Sequence, residues 1–234
     1  MAQDKVAIVT AAGRGMGAAI AVELKARGWK LALMSPSGGA EGLAHGLGAL
    51  GLTGSVTAPA DLERLVETTL DAYGRIDAVV NNTGHPPKGP LLEVSDAEWH
   101  TGLDLVFLNV VRMARLVTPV MQAQGGGSIV NISTYAAIEP AATFPVSSSL
   151  RAALSAFTKL YADAHAKAHI RMNNLLPGFI DSYPEDAALR SAIPMGRYGS
   201  VAEIAKTTAF LVSDDASYLT GQNIRVDGGL TRSI

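Results

Sequence analysis

The chain of 234 residues has no cysteine. That excludes a disulfide framework and any thiolate metal site, and it fits a reducing compartment. Long apolar runs are also missing. The longest fall well short of the roughly 20 residues a membrane-spanning helix needs, so no membrane association is expected. Charge of one sign is not in excess: 19 Lys and Arg face 21 Asp and Glu, for a net charge of -2. Without a basic stripe, binding to nucleic acid by electrostatics is not expected. The start of the chain carries Asp4 and runs at once into an apolar strand. It lacks the basic beginning and longer apolar core of a signal peptide, which predicts a cytoplasmic protein. No repeat, low-complexity tract or dividing linker occurs, and no metal is expected. What is present is 48% hydrophobic residues, enough for one large core and too many for a disordered chain.

Short apolar runs alternate with longer amphipathic ones. Strands are predicted at Val6–Thr10 and at residues 29–34, 51–57, 76–81, 127–133 and 171–176, with the last at Asn223–Val226. Helices are predicted from the glycine-rich 11–17 segment to about Arg27, and near residues 61–73, 96–124, 147–167 and 201–213. The runs VAIV and IDAVV are continuous rather than alternating, the mark of strands buried on both faces. Regular alternation of strand and helix predicts a single-domain α/β Rossmann fold over residues 1–234. Its seven-stranded sheet is mostly parallel, with helices on both faces. Residues 37–51 are a poor helix on propensity, because each glycine costs about 1 kcal/mol relative to alanine. Residues 177–194 read as an irregular segment, a lid over a site or a surface loop.

Thr10-Ala11-Ala12-Gly13-Arg14-Gly15-Met16-Gly17 follows the first strand and opens the first helix. Its glycines allow tight turns and close backbone approach. The helix start then offers free N–H groups and a positive dipole end to a pyrophosphate. A glycine triplet alone is weak, but the strand–turn–helix context is the one a dinucleotide site requires.

This segment resembles the TGxxxGxG motif of the short-chain dehydrogenase/reductase family, with Ala11 in place of the first glycine. Asn81-Asn82-Thr83-Gly84 resembles its NNAG motif, and Asn109 sits where the family keeps a helix asparagine. Pro177-Gly178-Phe179-Ile180 resembles its PG motif, and Thr220-Gly221-Gln222 through Asp227-Gly228-Gly229 its C-terminal end. The motifs run in order along the whole chain, and the closest general likeness is to the carrier-protein ketoacyl reductases. The resemblance implies a dinucleotide held by Ala11, Gly13, Arg14, Gly15, Met16, Gly17, Asn81, Thr83, Gly84, Pro177, Gly178 and Ile180, with Arg151 at the ribose. An acid at the end of the second strand normally bonds the NAD ribose. Here that strand ends Met34-Ser35-Pro36-Ser37, without an acid. Ser35, Ser37 and Arg14 suit a 2′-phosphate instead, so NADP is expected over NAD. Ser55-Val56 takes the place of the family's Asp-Val pair at the adenine.

The resemblance also implies where catalysis sits. The family uses a tyrosine and, four residues later, a lysine on one helix face, with a serine on the preceding strand end. Counting forward from Asn131-Ile132-Ser133, the serine position falls on Thr134. The tyrosine position falls on Ser147 and the lysine position on Arg151. Ala152-Ala153-Leu154 and Phe157-Thr158 hold this register without a gap. A serine hydroxyl is far less acidic than a tyrosine, and an arginine fork is not a mobile ammonium. The standard proton path is therefore expected to be missing. Tyr135 and His85, both at strand ends, are candidate substitutes, Tyr183 and Asp181 lie on the possible lid, and Asn109 is expected to fix a water.

Three functions follow as expectations. The first is an NAD(P)-dependent oxidoreductase acting on a small carbonyl or alcohol substrate with a non-standard active site. The second is a dinucleotide-binding protein without redox activity, a sensor or silent relative. The third is a non-redox reaction in the same cleft. Relatives usually form tetramers through two long helices and the C-terminal strand. A homotetramer or homodimer is therefore expected, through faces at residues 103–120 and 150–161.

Overall fold

The computed structural model describes residues 4–233; residues 1–3, part of the segment behind the leader expectation, and residue 234 lie outside it. Seven strands form one sheet: β1 (Val6–Thr10), β2 (Lys30–Ser35), β3 (Leu50–Thr53), β4 (Ala78–Asn81), β5 (Gly127–Ile132), β6 (Ile170–Pro177) and β7 (Asn223–Val226). Their order is β3-β2-β1-β4-β5-β6-β7. All six pairings are parallel, so the sheet is wholly rather than mostly parallel.

Among the described residues there are eight α-helices, most of them packed on its two faces: α1 (Gly15–Ala26), α2 (Gly39–Leu47), α3 (Pro59–Tyr73), α4 (Asp96–Leu103), α5 (Asn109–Ala123), α6 (Pro145–His165), α7 (Ala187–Ser191) and α8 (Val201–Val212). Ala7, Val9, Leu31, Leu33 and Val80 pack against α1 and α8 through Ile20, Leu24, Ile204 and Ala209. Ile8, Met34, Val79 and Ile129 pack on the other face against Leu65 of α3, Met113 and Val117 of α5 and Leu154 of α6. Successive strand residues thus serve opposite cores, which is why the strands read as unbroken apolar runs. Among the described residues, no helix is long and apolar enough to cross a membrane.

Three segments differ from the sequence expectation. The glycine-rich stretch does form a helix, α2, because small residues are what its packing needs. A Cβ on Gly51 would lie 2.7 Å from the Glu41 backbone, and one on Gly39 would lie 3.1 Å from the Gly13 carbonyl oxygen. The third strand stops at Thr53. Asp61 accepts the Ser55 N–H and the Ser55 hydroxyl accepts that of Thr57, turning the chain into α3. The long helix over 96–124 is interrupted by a wide π-helical turn at Asp104–Leu108, after which α5 begins on Asn109. Such turns concentrate at functional sites and leave no trace in apolar spacing.

A row of amides crosses the sheet, buried from Asn81 to Asn174 and reaching the surface at Asn223. Asn81 donates to Asn131 (2.9 Å), Asn131 to Asn174 (2.9 Å) and Asn174 to Asn223 (2.8 Å), along directly paired positions of β4, β5, β6 and β7. Thr158 of α6 joins the row by donating to Asn174 at 2.9 Å. Asn131→Ala removes the acceptor of the buried Asn81 amide, while Asn174 keeps its bond from Thr158. It should cost about 1–3 kcal/mol, read as a lowered urea midpoint with an unchanged slope.

Candidate dinucleotide and active site

Strand order reverses between β1 and β4, the place where open α/β sheets admit a ligand beyond the strand carboxyl ends. Hydrogen bonds close the seam below that opening. The Thr10 hydroxyl donates to the Asn82 carbonyl (2.7 Å) and accepts the Asn82 N–H (3.0 Å), while the Asn82 amide donates to the Ala11 carbonyl (3.3 Å).

The phosphate loop rises from this seam. Ala11 sits in the left-handed region at φ 46° and Gly15 at φ 56°. A Cβ on Gly17 would stand 2.4 Å from the Ala11 carbonyl oxygen, and one on Gly13 would stand 2.8 Å from Ser35 Oγ. Arg14 precedes α1 in an extended conformation, and no side chain caps the helix. Its first N–H groups and dipole are left for an external acceptor. Ser182 lies over the loop, its Cβ 3.6 Å from where a Gly15 Cβ would be. Residues 177–194 therefore reach across the opening, with only the short α7 as regular structure. Ser182 falls within the segment expected to be a lid or loop, but the sequence does not single it out there as a site residue.

The adenosine end divides the predicted residues. Arg14 and Ser37 are exposed beside the loop. Ser35 is 4% exposed, and its oxygen accepts the Ala40 N–H at 2.9 Å, which ties β2 to the start of α2. Ser55 pairs with Thr57 (2.8 Å) and Val56 is buried in the core. Met16 packs on the same core as α1. Asn81 spends its side-chain amide in the amide row. Gly84 is exposed, with open space around it.

At the other end, Asn109 Oδ1, Ser133 Oγ and Thr83 Oγ1 are buried without a hydrogen-bond partner among the described residues. Buried polar atoms seldom stay unpaired, and unpaired ones mark places for water or ligand. Thr134 follows β5 and its oxygen accepts the Ala136 N–H (3.4 Å), which leaves its proton free to donate. Pro177 ends β6. A Cβ on Gly178 would meet Asp227 at 2.9 Å, and Ile180 is buried where its neighbours Phe179 and Asp181 pair with Gly199. Ser147 lies in the first turn of α6, half-buried. Arg151, one turn on, is 7% exposed and donates to the Ile132 carbonyl at 2.6 Å. Burial lowers its pKa to about 10, so it stays charged at neutral pH.

The two candidate acids have unhelpful surroundings. Burial raises the pKa of Tyr135, whose ring lies 5.6 Å from that of Phe179. His85, at the cleft mouth, stands edge-on to Tyr183 with ring centres 5.2 Å apart. Desolvation first, then the charges of Lys88 and Arg151, push its pKa below 6.5. Tyr135 is thus a weaker acid than a free tyrosine, and His85 favours its neutral form more than a free imidazole does.

A dinucleotide fits these residues. The glycine contacts leave a backbone surface with no Cβ in the way, α1 presents uncapped N–H groups, and the unpartnered oxygens await donors. The chain belongs to the short-chain dehydrogenase/reductase family, whose members are nicotinamide-dependent oxidoreductases. A family profile described as enoyl-(acyl carrier protein) reductase matches residues 10–231. The chain is 34% identical to the 3-oxoacyl-[acyl-carrier-protein] reductase of Salmonella typhimurium, over 97% of this chain and 98% of that one. An NADPH-dependent reductase involved in bacilysin biosynthesis superposes with a TM-score of 0.94 at 25% identity, covering 99% of this chain and 100% of the other. The L-sorbose reductase of Gluconobacter frateurii, solved with NADPH and L-sorbose, gives 0.90 at 28% identity, covering 99% and 98%.

Ala11 bears a cost that a glycine would not, since the left-handed region strains any Cβ. Ala11→Gly should stabilise the protein by about 0.5–1 kcal/mol, measured by thermal unfolding.

Proposed function

We propose that the protein is an NADP(H)-dependent oxidoreductase of the short-chain type, acting on a small carbonyl or alcohol substrate by a proton path other than the family's tyrosine. The observation that carries this reading is the uncapped start of α1 above Gly13, Gly15 and Gly17, with unpartnered oxygens waiting at the far end of the same cleft. The lack of an acid after β2, with Arg14 and Ser37 exposed there, supports the phosphorylated cofactor. So do the NADPH-dependent structural neighbours.

When bound, the dinucleotide supplies or takes up a hydride. The chain's own residues do the rest. Thr134 donates to the substrate oxygen. Beyond its bond to the Ile132 carbonyl, Arg151 gives one donor to the ribose and keeps others for the cleft, where its fixed charge favours negative charge. Ser147 is no general acid at neutral pH. Asn109 Oδ1 holds the water that brings the proton. The register that puts Ser147 and Arg151 in place of tyrosine and lysine belongs to this proposal, and it rests on the spacing from Thr134.

The surroundings of Tyr135 and His85 favour a second reading, binding of the dinucleotide without turnover. Fluorescence titration should give NADPH a Kd about ten-fold or more below that of NADH, as expected for a charge-assisted contact to the 2′-phosphate. If neither binds, both readings fail. With a panel of carbonyl compounds and NADPH, Tyr135→Phe should keep kcat within about ten-fold. A loss of about a hundred-fold or more would make Tyr135 the proton donor. Ser147→Tyr combined with Arg151→Lys should raise kcat, and binding with no turnover in either form would support the silent reading.

A further inference from the structure

Arg151 is a buried cation without an anion. Among the described residues no carboxylate pairs with it, and one of its donors is spent on the Ile132 carbonyl. Buried charges are ordinarily paired, because leaving one alone forfeits its hydration without return. The acids around the cleft are committed elsewhere. Glu139 accepts the Arg232 and Ser233 N–H groups, Asp181 accepts that of Val201, and Asp104 pairs with Arg112.

Other basic groups gather on the same side. Lys88 places its ammonium 4.9 Å from the ring centre of Phe144, the residue just ahead of α6. His85 lies close enough for both Lys88 and Arg151 to act on its imidazole. Ser147 stands one helical turn before Arg151, on the same face. It is a short side chain, and its hydroxyl is engaged by none of the described residues.

We infer that Arg151, the Ser147 hydroxyl and Lys88 form a subsite for a small oxyanion, and that it takes a carboxylate carried by the substrate beside its reacting carbon. This rests on the oxidoreductase reading and narrows it to oxo acids and their hydroxy acids. Ser147 is partly exposed and short, four residues before the buried Arg151 on the same helix. The guanidinium fork matches a carboxylate with two parallel hydrogen bonds, which an ammonium does not. Lys88 adds charge at the rim.

The test titrates NADPH-loaded protein with 2-oxobutyrate and phenylpyruvate, and with their methyl esters, by calorimetry, while NADPH consumption is followed separately. At least one acid should bind about ten- to a hundred-fold more tightly than its ester. Arg151→Met should erase that preference, Arg151→Lys should restore part of it, and Lys88→Gln should reduce it a few-fold. Should Arg151→Met fail to fold, Lys88→Gln and a fall in acid affinity with added salt decide the matter. Esters that bind as well as the acids, or acids that wild type does not bind, would overturn the subsite. Arg151-dependent acid binding with no NADPH consumed would sink the redox reading and leave the subsite standing. Neutral carbonyl compounds reduced as fast as the acids would do the reverse.

Discussion

The row of buried amides through Asn81, Asn131 and Asn174 is the constraint on which the cleft depends. A parallel strand buried on both faces has no apolar alternation to tell one register from the next. Slipping by one residue would exchange Val for Ile at little cost, but it would strand several amides in the core at about 1–3 kcal/mol each. The row therefore sets how far β4, β5 and β6 project, and so where Thr83, Thr134 and Gly178 stand at their ends. Thr158 carries the same register into α6.

That helix is the second element of the site. Its buried stripe runs through Arg151, Leu154, Thr158 and Tyr161, spaced by three or four residues. Arg151 ties its first turns to the end of β5 through the Ile132 carbonyl, and Thr158 ties it to the sheet two turns later. Ser147 is positioned by these anchors, its side chain making no hydrogen bond among the described residues. A charged anchor in a dry place costs desolvation. Here the cost falls on Arg151, which gives one donor to the Ile132 carbonyl.

Much of the fold was legible in the chain because it follows from local chemistry. The bounds of β1 and β7 agree with the apolar runs, and α3, α6 and α8 begin within two residues of their expected starts. Pro59, Pro145 and Ser200 mark helix starts by well-understood means. The misses share a cause in long-range contact. Residues 39–47 form a helix against propensity because Gly13 and Gly51 are empty where it packs. The π-helical turn before Asn109 has no local signature. Ser35 looked like a free hydroxyl for a phosphate, yet it is spent on Ala40, five residues on.

The sequence by itself determined the class of the protein, the strand–loop–helix that suits a dinucleotide, and the residues standing at Ser147 and Arg151. These depend on order and spacing along the chain, which a single sequence carries in full. Only the tertiary structure decided that Arg151 is a buried cation with no carboxylate partner among the described residues, that Ser182 lies over the phosphate loop, and that the surroundings raise the pKa of Tyr135 and lower that of His85. Each of those is a matter of which distant groups share a space and how much water remains there. Desolvation and pairing are properties of the packed molecule, and neither is written in the order of its residues.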